Sequence, residues 1–500
     1  MRDAYFFIQH RLFLSMRAFQ IAIIGGGVAG SAIARELSKY NLRVVVFEKG
    51  SDVASGASKA NSGVIHSGIN SPPSSLKARF CVEGNRMFPR LSEELGFPVK
   101  WTGKCVIAKN EDEIKELERL KHVGMKNGVP GLEMLNEDEM KKRERHVACC
   151  AALWVPTAGI TLPYEFTIAL AENAAENGVR FLLETAVTGL KKQNDYFVME
   201  TGKGDFQAEM VINAAGVHCR EIVSMMEDPD FQVYPCRGEY LVLDKNYRSL
   251  VNSMIYPVPV KELGVLGVHI TPTIEGNILL GPSAEFIDDH EDTRTTGPMM
   301  RTLLSEAREI IPEIPERAAI AAYAGIRCKL SPPESGGWAD YRIEERDGMI
   351  HLLGIESPGL TAAPAIAKEI VRMVSRSLEL EEKTDFNPKG TSKPRFSELS
   401  AEEQSRIIEG DGRWGRVVCR CEHVTEAEVI EALSNPLGAR TLASVKYRCR
   451  AGMGRCQGGF CTQHVVRIME EHFGMNIRDI TLKSPGSYLF PGRTRGDSSD

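Results

Sequence analysis

An apolar run, Ile21-Ala22-Ile23-Ile24, stops at Gly25-Gly26-Gly27-Val28-Ala29-Gly30, and helical spacing begins at once through Ala32, Ile33, Ala34 and Leu37. A second apolar run, Val44 to Phe47, ends on Glu48. Strand, glycine turn, helix, strand and acid in this order constrain the chain more than any other stretch does, because the unit is the nucleotide-binding half of a doubly wound sheet. Gly25 permits the tight turn, Gly27 lets a pyrophosphate approach the backbone, and Gly30 lets helix pack on strand. The helix N-terminus offers unpaired N–H groups to phosphate. Glu48, 18 residues after Gly30, is placed to accept hydrogen bonds from a ribose diol. The competing reading is a plain glycine turn, and the motif does not separate FAD from NAD.

The chain has 500 residues, enough for roughly two to four domains. A formal charge of −6 without a polybasic stretch gives no field for nucleic acid and excludes that class of partner. No run of about 18 apolar residues exists, so no transmembrane segment is expected; peripheral membrane contact stays open. Residues 1–15 are aromatic-rich, but His10 and Arg11 interrupt them; they read as an N-terminal extension and not a signal peptide, with Met16 as an alternative start. Twelve cysteines without a signal peptide predict a reducing, cytoplasmic setting.

After Glu48, the small and polar stretch Ser55 to Gly68 suits close approach to a large planar ligand, against the alternative of an ordinary surface loop. A helix is predicted over Leu76–Leu95, a charged helical run with a solvated face over Glu111–Lys121, and an amphipathic helix within Ile160–Gly178 before a strand at Val179–Leu183. Met210 to Gly216 reads as a strand ending in small residues. A β-rich part follows, with strands at Tyr240–Leu243, Ser253–Tyr256, Gly267–Thr271 and Asn277–Leu280, then a helix over Arg301–Ile311. Tyr323-Ala324-Gly325-Ile326-Arg327 leads into a loop. The strand Ile350–Leu353 enters the Gly/Pro loop Gly354 to Pro364, which opens a helix that aims N–H groups at an electron-rich atom. From about Glu379 to Trp414 the composition is that of a linker, before a small terminal module and a Pro/Gly/Ser-rich tail.

The module holds Cys419-Arg420-Cys421, then Cys456 and Cys461, with Cys449 as an additional thiol. Four thiolates hold zinc or a [2Fe–2S] cluster. The pair at 419 and 421 is spaced more tightly than zinc knuckles prefer, and the glycines around Cys456 let N–H groups point at sulfide. Bare buried thiols are the third reading. Cys81, Cys105, Cys149, Cys150, Cys219, Cys236 and Cys328 are scattered and read as core.

Five blocks resemble the FAD-dependent oxidoreductases of the D-amino-acid oxidase type, in the glycerol-3-phosphate dehydrogenase and L-2-hydroxyglutarate oxidase branch. They are Gly25 to Gly30, Asn61 to Gly68, Asn213 to Gly216, Ala324 to Arg327 and Gly354 to Thr361. The segment from Val418 to Cys461 resembles the bacterioferritin-associated-ferredoxin-like [2Fe–2S] domain, where Cys419, Cys421, Cys456 and Cys461 match the ligands and Cys449 matches none. The resemblance implies an α/β chain, α+β overall: a Rossmann-like FAD-binding domain (16–375), a β-rich substrate domain from pieces at about 90–150 and 231–325, a linker at 376–414, an iron–sulfur module at 415–482 and a tail at 483–500. It further implies cofactor contacts from Gly25, Gly27, Gly30, Glu48, Lys49, Ser58, Asn61, Ser62, Gly63 and Ile65. Ala215, Gly216, Gly325, Arg327, Gly354, Ser357, Gly359, Leu360 and Thr361 complete that set.

Oxidising a secondary alcohol at a flavin requires hydride delivery, a base for the hydroxyl proton and cations that hold the substrate anion. Arg327 matches the family arginine that grips a carboxylate or phosphate, with Lys329 nearby. His269 and His66 are the candidate bases. Tyr240 stands where membrane-type glycerol-3-phosphate dehydrogenases carry a histidine. The implied activity is oxidation of sn-glycerol 3-phosphate to dihydroxyacetone phosphate. Electrons would leave FAD through the cluster to a partner, an NADH-oxidase-like flavoprotein or a small redox subunit. The alternatives are an L-2-hydroxyglutarate dehydrogenase or oxidase, an amino-acid or secondary-amine dehydrogenase, and a non-catalytic electron-transfer subunit.

Overall fold

The structure is a computed structural model that describes residues 18–259, 267–390 and 395–490. The expected extension at 1–15, the alternative start Met16 and the end of the expected tail, 491–500, lie outside the described residues, as do 391–394 of the expected linker.

The glycine-turn unit forms from strand Ala18–Ile24, helix Val28–Leu37 and strand Val44–Phe47. Ile21 pairs in parallel with Val44 on one side and Met210 on the other, and Ile212 pairs in parallel with Ile350. The main path of this eight-stranded sheet runs 187–193, 196–201, 206–213, 18–24, 44–47, 180–182. Both faces of its central strands are covered, which is why those strands read as unbroken apolar runs. Ile23, Ile33, Phe80, Phe166 and Ile366 fill the layer under helices Val28–Leu37, Leu76–Leu95, Pro163–Glu176 and Gly359–Val374. Phe47 and Phe206 meet edge to face at 5.2 Å on the other side. Gly84 lets the Leu76–Leu95 helix press on the start of the Gly359–Val374 helix, where a Cβ would stand 1.9 Å from the Thr361 carbonyl oxygen.

A nine-stranded sheet is assembled from two separated pieces of sequence: strands between Lys104 and Val155, and strands between Tyr234 and Lys329. In its register Arg327 faces Cys236, Tyr240 faces Tyr323, and His269 faces Gly281. The stretch Tyr323–Arg327 forms the second half of strand Ala319–Lys329, which leads into the expected loop after Lys329. The small residues of the strand serve close approach and not a turn, since a Cβ at Gly325 would stand 2.2 Å from the Ala60 carbonyl oxygen. The charged helical run is an amphipathic helix, Glu111–Lys126, that buries Leu117 and Leu120 and is capped by the Asn110 side chain.

Residues from Val418 to Ile480 close a third core, with Val429, Leu433, Val445 and Met469 inside it. The segment expected as a linker holds a helix, Ala401–Gly410, with a capping box from Ser400 and Glu403. It also lies strapped to the first domain. The Asn173 and Asn177 amides donate to the Asn387 carbonyl at 3.1 and 2.9 Å, and Arg395 pairs with Glu165 and Glu275. Arg448 bridges Asp52 and Glu172 at 2.5 and 2.7 Å. Arg450 donates to the Tyr164 hydroxyl at 2.9 Å and pairs with Glu422 at 2.9 Å. Polar composition suggests a free tether only while its charges are solvated; here arginines meet carboxylates across the domain boundary. The first part of the expected tail folds back, with Leu489 N–H donating to the Ile480 carbonyl at 3.2 Å. Among the described residues no helix is long and apolar enough to cross a membrane.

Candidate active site

Gly25 leaves its strand at φ +111°, where a Cβ would stand 2.5 Å from the Ala214 carbonyl oxygen, so two strand ends can close only over glycine. At Gly30 a Cβ would stand 1.9 Å from the Gly25 carbonyl oxygen. Gly27 differs, because a Cβ there would meet only the Ser58 hydroxyl at 3.2 Å. The Val28 N–H donates to that hydroxyl at 2.9 Å. Glu48 ties the turn to the second strand by accepting from the N–H groups of Gly26 (2.8 Å) and Gly50 (2.7 Å); burial raises its pKa, against those two hydrogen bonds. Lys49 is half-exposed, pairs with Glu291 and lies 2.9 Å from His218 Nε2.

A cavity of about 760 Å³ opens between the loop after this unit and the nine-stranded sheet. Ser58, Asn61, Ser62 and His66 line it from the loop. Gly216, Ser357, Gly359 and Leu360 line it from strand ends and the start of the Gly359–Val374 helix, and Tyr240, His269, Gly325, Arg327 and Lys329 from the sheet. Five expected contact residues stand behind this wall. Ile65 is wholly buried in the helix-side core. Gly63, at φ +66°, packs against the Thr161 carbonyl, and Gly354, at φ +68°, against Leu330. The Ala215 N–H donates to Asn213 Oδ1 at 3.3 Å. Thr361 accepts from the His66 N–H at 2.9 Å and donates to the Val64 carbonyl at 3.3 Å, so it holds the loop in place.

Arg327 donates from Nη2 to the Ser283 carbonyl at 3.0 Å and from Nη1 to Cys236 Sγ at 3.5 Å. Among the described residues no carboxylate forms an ion pair with it. Tyr240 stacks on Tyr323 at 4.7 Å, whose hydroxyl donates to the Asn61 carbonyl at 3.0 Å and ties sheet to loop. Burial raises the Tyr240 pKa, opposed by the Arg327 charge and by Ser62. Lys329 differs from the expectation of a free charge: it donates to the Gly337 carbonyl at 2.7 Å and shares Glu356 with Lys77, at 3.4 and 2.8 Å. Burial works to raise Glu356, but Lys77, Lys329 and Arg327 overcome it and hold the carboxyl below its ordinary value. Burial, helped by the Lys104 charge, pushes His66 down to about 3; its Nε2 lies 3.4 Å from the Ser357 hydroxyl. His269 is buried and stacked on Tyr256 at 3.5 Å.

In the terminal module the hydrogen bond between Cys419 and Cys461 holds Cys419 down at about 6 against burial, assisted by the N–H groups of Gly452, Glu422 and Cys421. Cys421 is hydrogen-bonded to Cys456, and both are exposed. Gly454 lets the second cysteine loop close on the first, since a Cβ would stand 2.1 Å from Cys421 Cβ. Cys449 is committed elsewhere, with its thiol donating to the Val445 carbonyl at 3.2 Å.

Residues 20–373 match the FAD dependent oxidoreductase family. The chain belongs to that family. Residues 417–471 match the BFD-like [2Fe-2S] binding domain. Glycerol 3-phosphate dehydrogenase of Caloramator mitchellensis is 40% identical over 485 residues, 96% of this chain and 99% of that one. L-2-hydroxyglutarate dehydrogenase of Indibacter alkaliphilus is 32% identical over 389 residues, 70% of this chain and 96% of its own. Dithionite-reduced L-α-glycerophosphate oxidase of Mycoplasma pneumoniae with FAD bound superposes with a TM-score of 0.70 at 31% identity, covering 74% of this chain and 98% of that one.

This FAD-dependent oxidoreductase therefore carries FAD and a [2Fe–2S] cluster, and its own residues fit both. The open side of Gly27 leaves space for phosphate above a helix N-terminus. Two hydrogen-bonded pairs of thiols, Cys419 with Cys461 and Cys421 with Cys456, flanked by backbone N–H groups, suit an anionic cluster. Sequence reading of this oxidoreductase missed Lys77, Lys104, Tyr256 and Glu356, all of which line the cavity. The available signal for Lys104 was a lone cation heading the apolar run Cys105-Val106-Ile107-Ala108, where a lysine is buried only for a reason.

Proposed function

We propose that this flavoprotein oxidises sn-glycerol 3-phosphate to dihydroxyacetone phosphate and passes the electrons through its cluster to a partner redox protein. The observation that carries the reading is Arg327, a guanidinium lining the cavity that has no ion-paired carboxylate among the described residues and is held by a carbonyl, a thiol and the Tyr240 hydroxyl. A cation taken from water without an ion-paired partner carries a desolvation cost, and an anionic substrate supplies that partner with bidentate geometry. FAD, when bound, would supply the hydride acceptor for oxidation at a secondary carbinol carbon. His66, neutral because of burial and Lys104, accepts the hydroxyl proton, and a bound anion restores basicity to it. His269, stacked on Tyr256, walls the substrate. Glu48 would hold the adenosine ribose, and Gly27 would give room to the pyrophosphate. Cys419, Cys421, Cys456 and Cys461 hold the cluster, whose exposed pair, Cys421 and Cys456, faces the partner, an NADH-oxidase-like flavoprotein or a small redox subunit. A cytoplasmic setting accords with twelve free cysteines.

The glycerol 3-phosphate reading draws on the relative that matches 96% of this chain, a span that has to include the cysteine module. L-2-hydroxyglutarate, with two carboxylates, is the second reading, because one of its dehydrogenases matches 70% of this chain. Anaerobic bleaching of the flavin by glycerol 3-phosphate, and not by L-2-hydroxyglutarate or amino acids, is the expected result. Bleaching by L-2-hydroxyglutarate alone overturns the substrate, and bleaching by none of them favours an electron-transfer subunit. Cys456→Ser is expected to lose the iron–sulfur absorbance while keeping the flavin bands; a variant that retains that absorbance removes Cys456 from the ligand set.

A further inference from the structure

Five cations line the cavity, and three of them have carboxylate partners. Lys77 and Lys329 share Glu356, and Arg119 pairs with Glu116. Two remain: Arg327 and Lys104. Lys104 is 1% exposed, and among the described residues no carboxylate lies within ion-pairing distance of it. Its ammonium sits 4.7 Å above the Tyr256 ring, which itself stacks on His269 at 3.5 Å. The Tyr256 hydroxyl is buried, lines the cavity and meets no protein hydrogen-bond partner. Sheet register explains the grouping. Met254 pairs with Lys104 and Ile255 with Ile270, so Lys104, Tyr256 and His269 share one face of adjoining strands.

We propose that Lys104 is a second anion-binding residue of the substrate cavity, which together with Arg327 selects substrates carrying two negative charges and which uses the Tyr256 hydroxyl as a neighbouring donor. The inference rests on the reading of this cavity as the substrate site. A phosphate dianion or a dicarboxylate satisfies both cations, whereas a zwitterionic amino acid leaves one of them uncompensated, at the cost that buried unpaired charge carries. The proposal thus separates hydroxy acids and phosphates from the amino acids oxidised by other enzymes of similar fold.

The same placement makes anion binding depend on pH. Burial pulls Lys104 down to about 8. The groups facing it do not titrate nearby: Cys81, on helix Leu76–Leu95, is pushed up to about 12 by burial, and His66 is pushed down to about 3 by burial and the Lys104 charge. Burial raises Tyr256 far above the working range. Among the described residues, helix Glu111–Lys126 contributes the Glu116–Arg119 pair to the cavity, and helix Gly297–Ile310 contributes Glu306, which burial raises above its ordinary value. Lysine loses its charge as pH rises, so affinity for a dianion falls above about 8.

The test uses oxidised holoenzyme titrated with glutarate, inorganic phosphate and butyrate, followed by the change in flavin absorbance. Lys104→Met is expected to weaken glutarate and phosphate about 10- to 100-fold, the range of a lost charge-assisted hydrogen bond, and to leave butyrate nearly unchanged. In the wild type, glutarate affinity is expected to fall as pH rises from 7 to 9, and Lys104→Arg is expected to bind it with no such fall. Unchanged glutarate affinity in Lys104→Met overturns the proposal, as does a pH dependence that survives in Lys104→Arg. If the Met variant loses its flavin, the Arg profile decides alone. None of the probes is oxidised, so the outcome is separable from the substrate reading. A wild type that binds glutarate but is not bleached by glycerol 3-phosphate sinks that reading and leaves Lys104 standing; a bleached wild type with an indifferent Lys104→Met does the reverse.

Discussion

Gly30→Ala is expected to yield a protein that holds almost no flavin and melts well below the wild type. The added Cβ would stand 1.9 Å from the Gly25 carbonyl oxygen, a backbone atom that cannot swing aside as a side chain does. Gly25 itself is fixed at φ +111° against Ala214, so the clash is relieved only by pushing helix Val28–Leu37 off the sheet. Overpacking of this kind costs about 3 kcal/mol. The helix N-terminus would move with the turn, so FAD affinity is expected to fall about 100-fold, the equivalent of that energy. Flavin content after gel filtration and the thermal midpoint measure both effects. Gly27→Ala is the control: its Cβ meets only the Ser58 hydroxyl at 3.2 Å, so it should melt like the wild type and lose flavin affinity alone. A Gly30→Ala protein that purifies fully yellow would falsify the close-packing argument.

Arg327→Met is expected to keep its FAD and lose about a thousandfold in kcat/KM, since truncating one member of a buried charge pair costs roughly 2–5 kcal/mol. The stability of the substrate-free protein should move the other way. Arg327 has a carbonyl, a thiol and the Tyr240 hydroxyl as partners and no ion-paired carboxylate among the described residues, so a methionine of similar length breaks no salt bridge and relieves the site of a desolvated charge. A thermal midpoint equal to or above the wild type, together with the activity loss, marks a residue kept for function. A lowered midpoint with near-normal kcat/KM would show that Arg327 holds the sheet together instead. Arg327→Lys is expected to recover little, because an ammonium lacks the planar fork that reaches the Ser283 carbonyl and a substrate at the same time.

Much of the first domain was legible in the sequence. The helix Leu76–Leu95 and the strand Val44–Phe47 appear at the expected bounds, because periodicity, flanking glycines and caps act within a few residues of one another. The cysteine loops were legible for the same reason, since ligand spacing is a local property. Arg327 shows where such reading stops. Ala324 and Gly325 resemble a turn when read alone, yet they lie in a strand whose small residues let the Ala60 backbone pass. The segment from 376 to 414 misled in the opposite direction. Its charge suggested a tether, but Arg395 and the module's Arg448 find carboxylates in the first domain.

The sequence by itself carried a dinucleotide fingerprint at Gly25, Gly27, Gly30 and Glu48 and two pairs of cysteines, and their resemblance to known families implied FAD and a [2Fe–2S] cluster. Those patterns rest on backbone conformation and spacing within one stretch of chain. Tertiary structure alone decided which cations stay available to a substrate. Lys77 and Lys329 share the single carboxylate of Glu356, 279 residues from Lys77, whereas among the described residues Arg327 and Lys104 have no carboxylate within ion-pairing distance. Charge compensation is a property of what the fold brings within a few ångströms, and no local pattern records it.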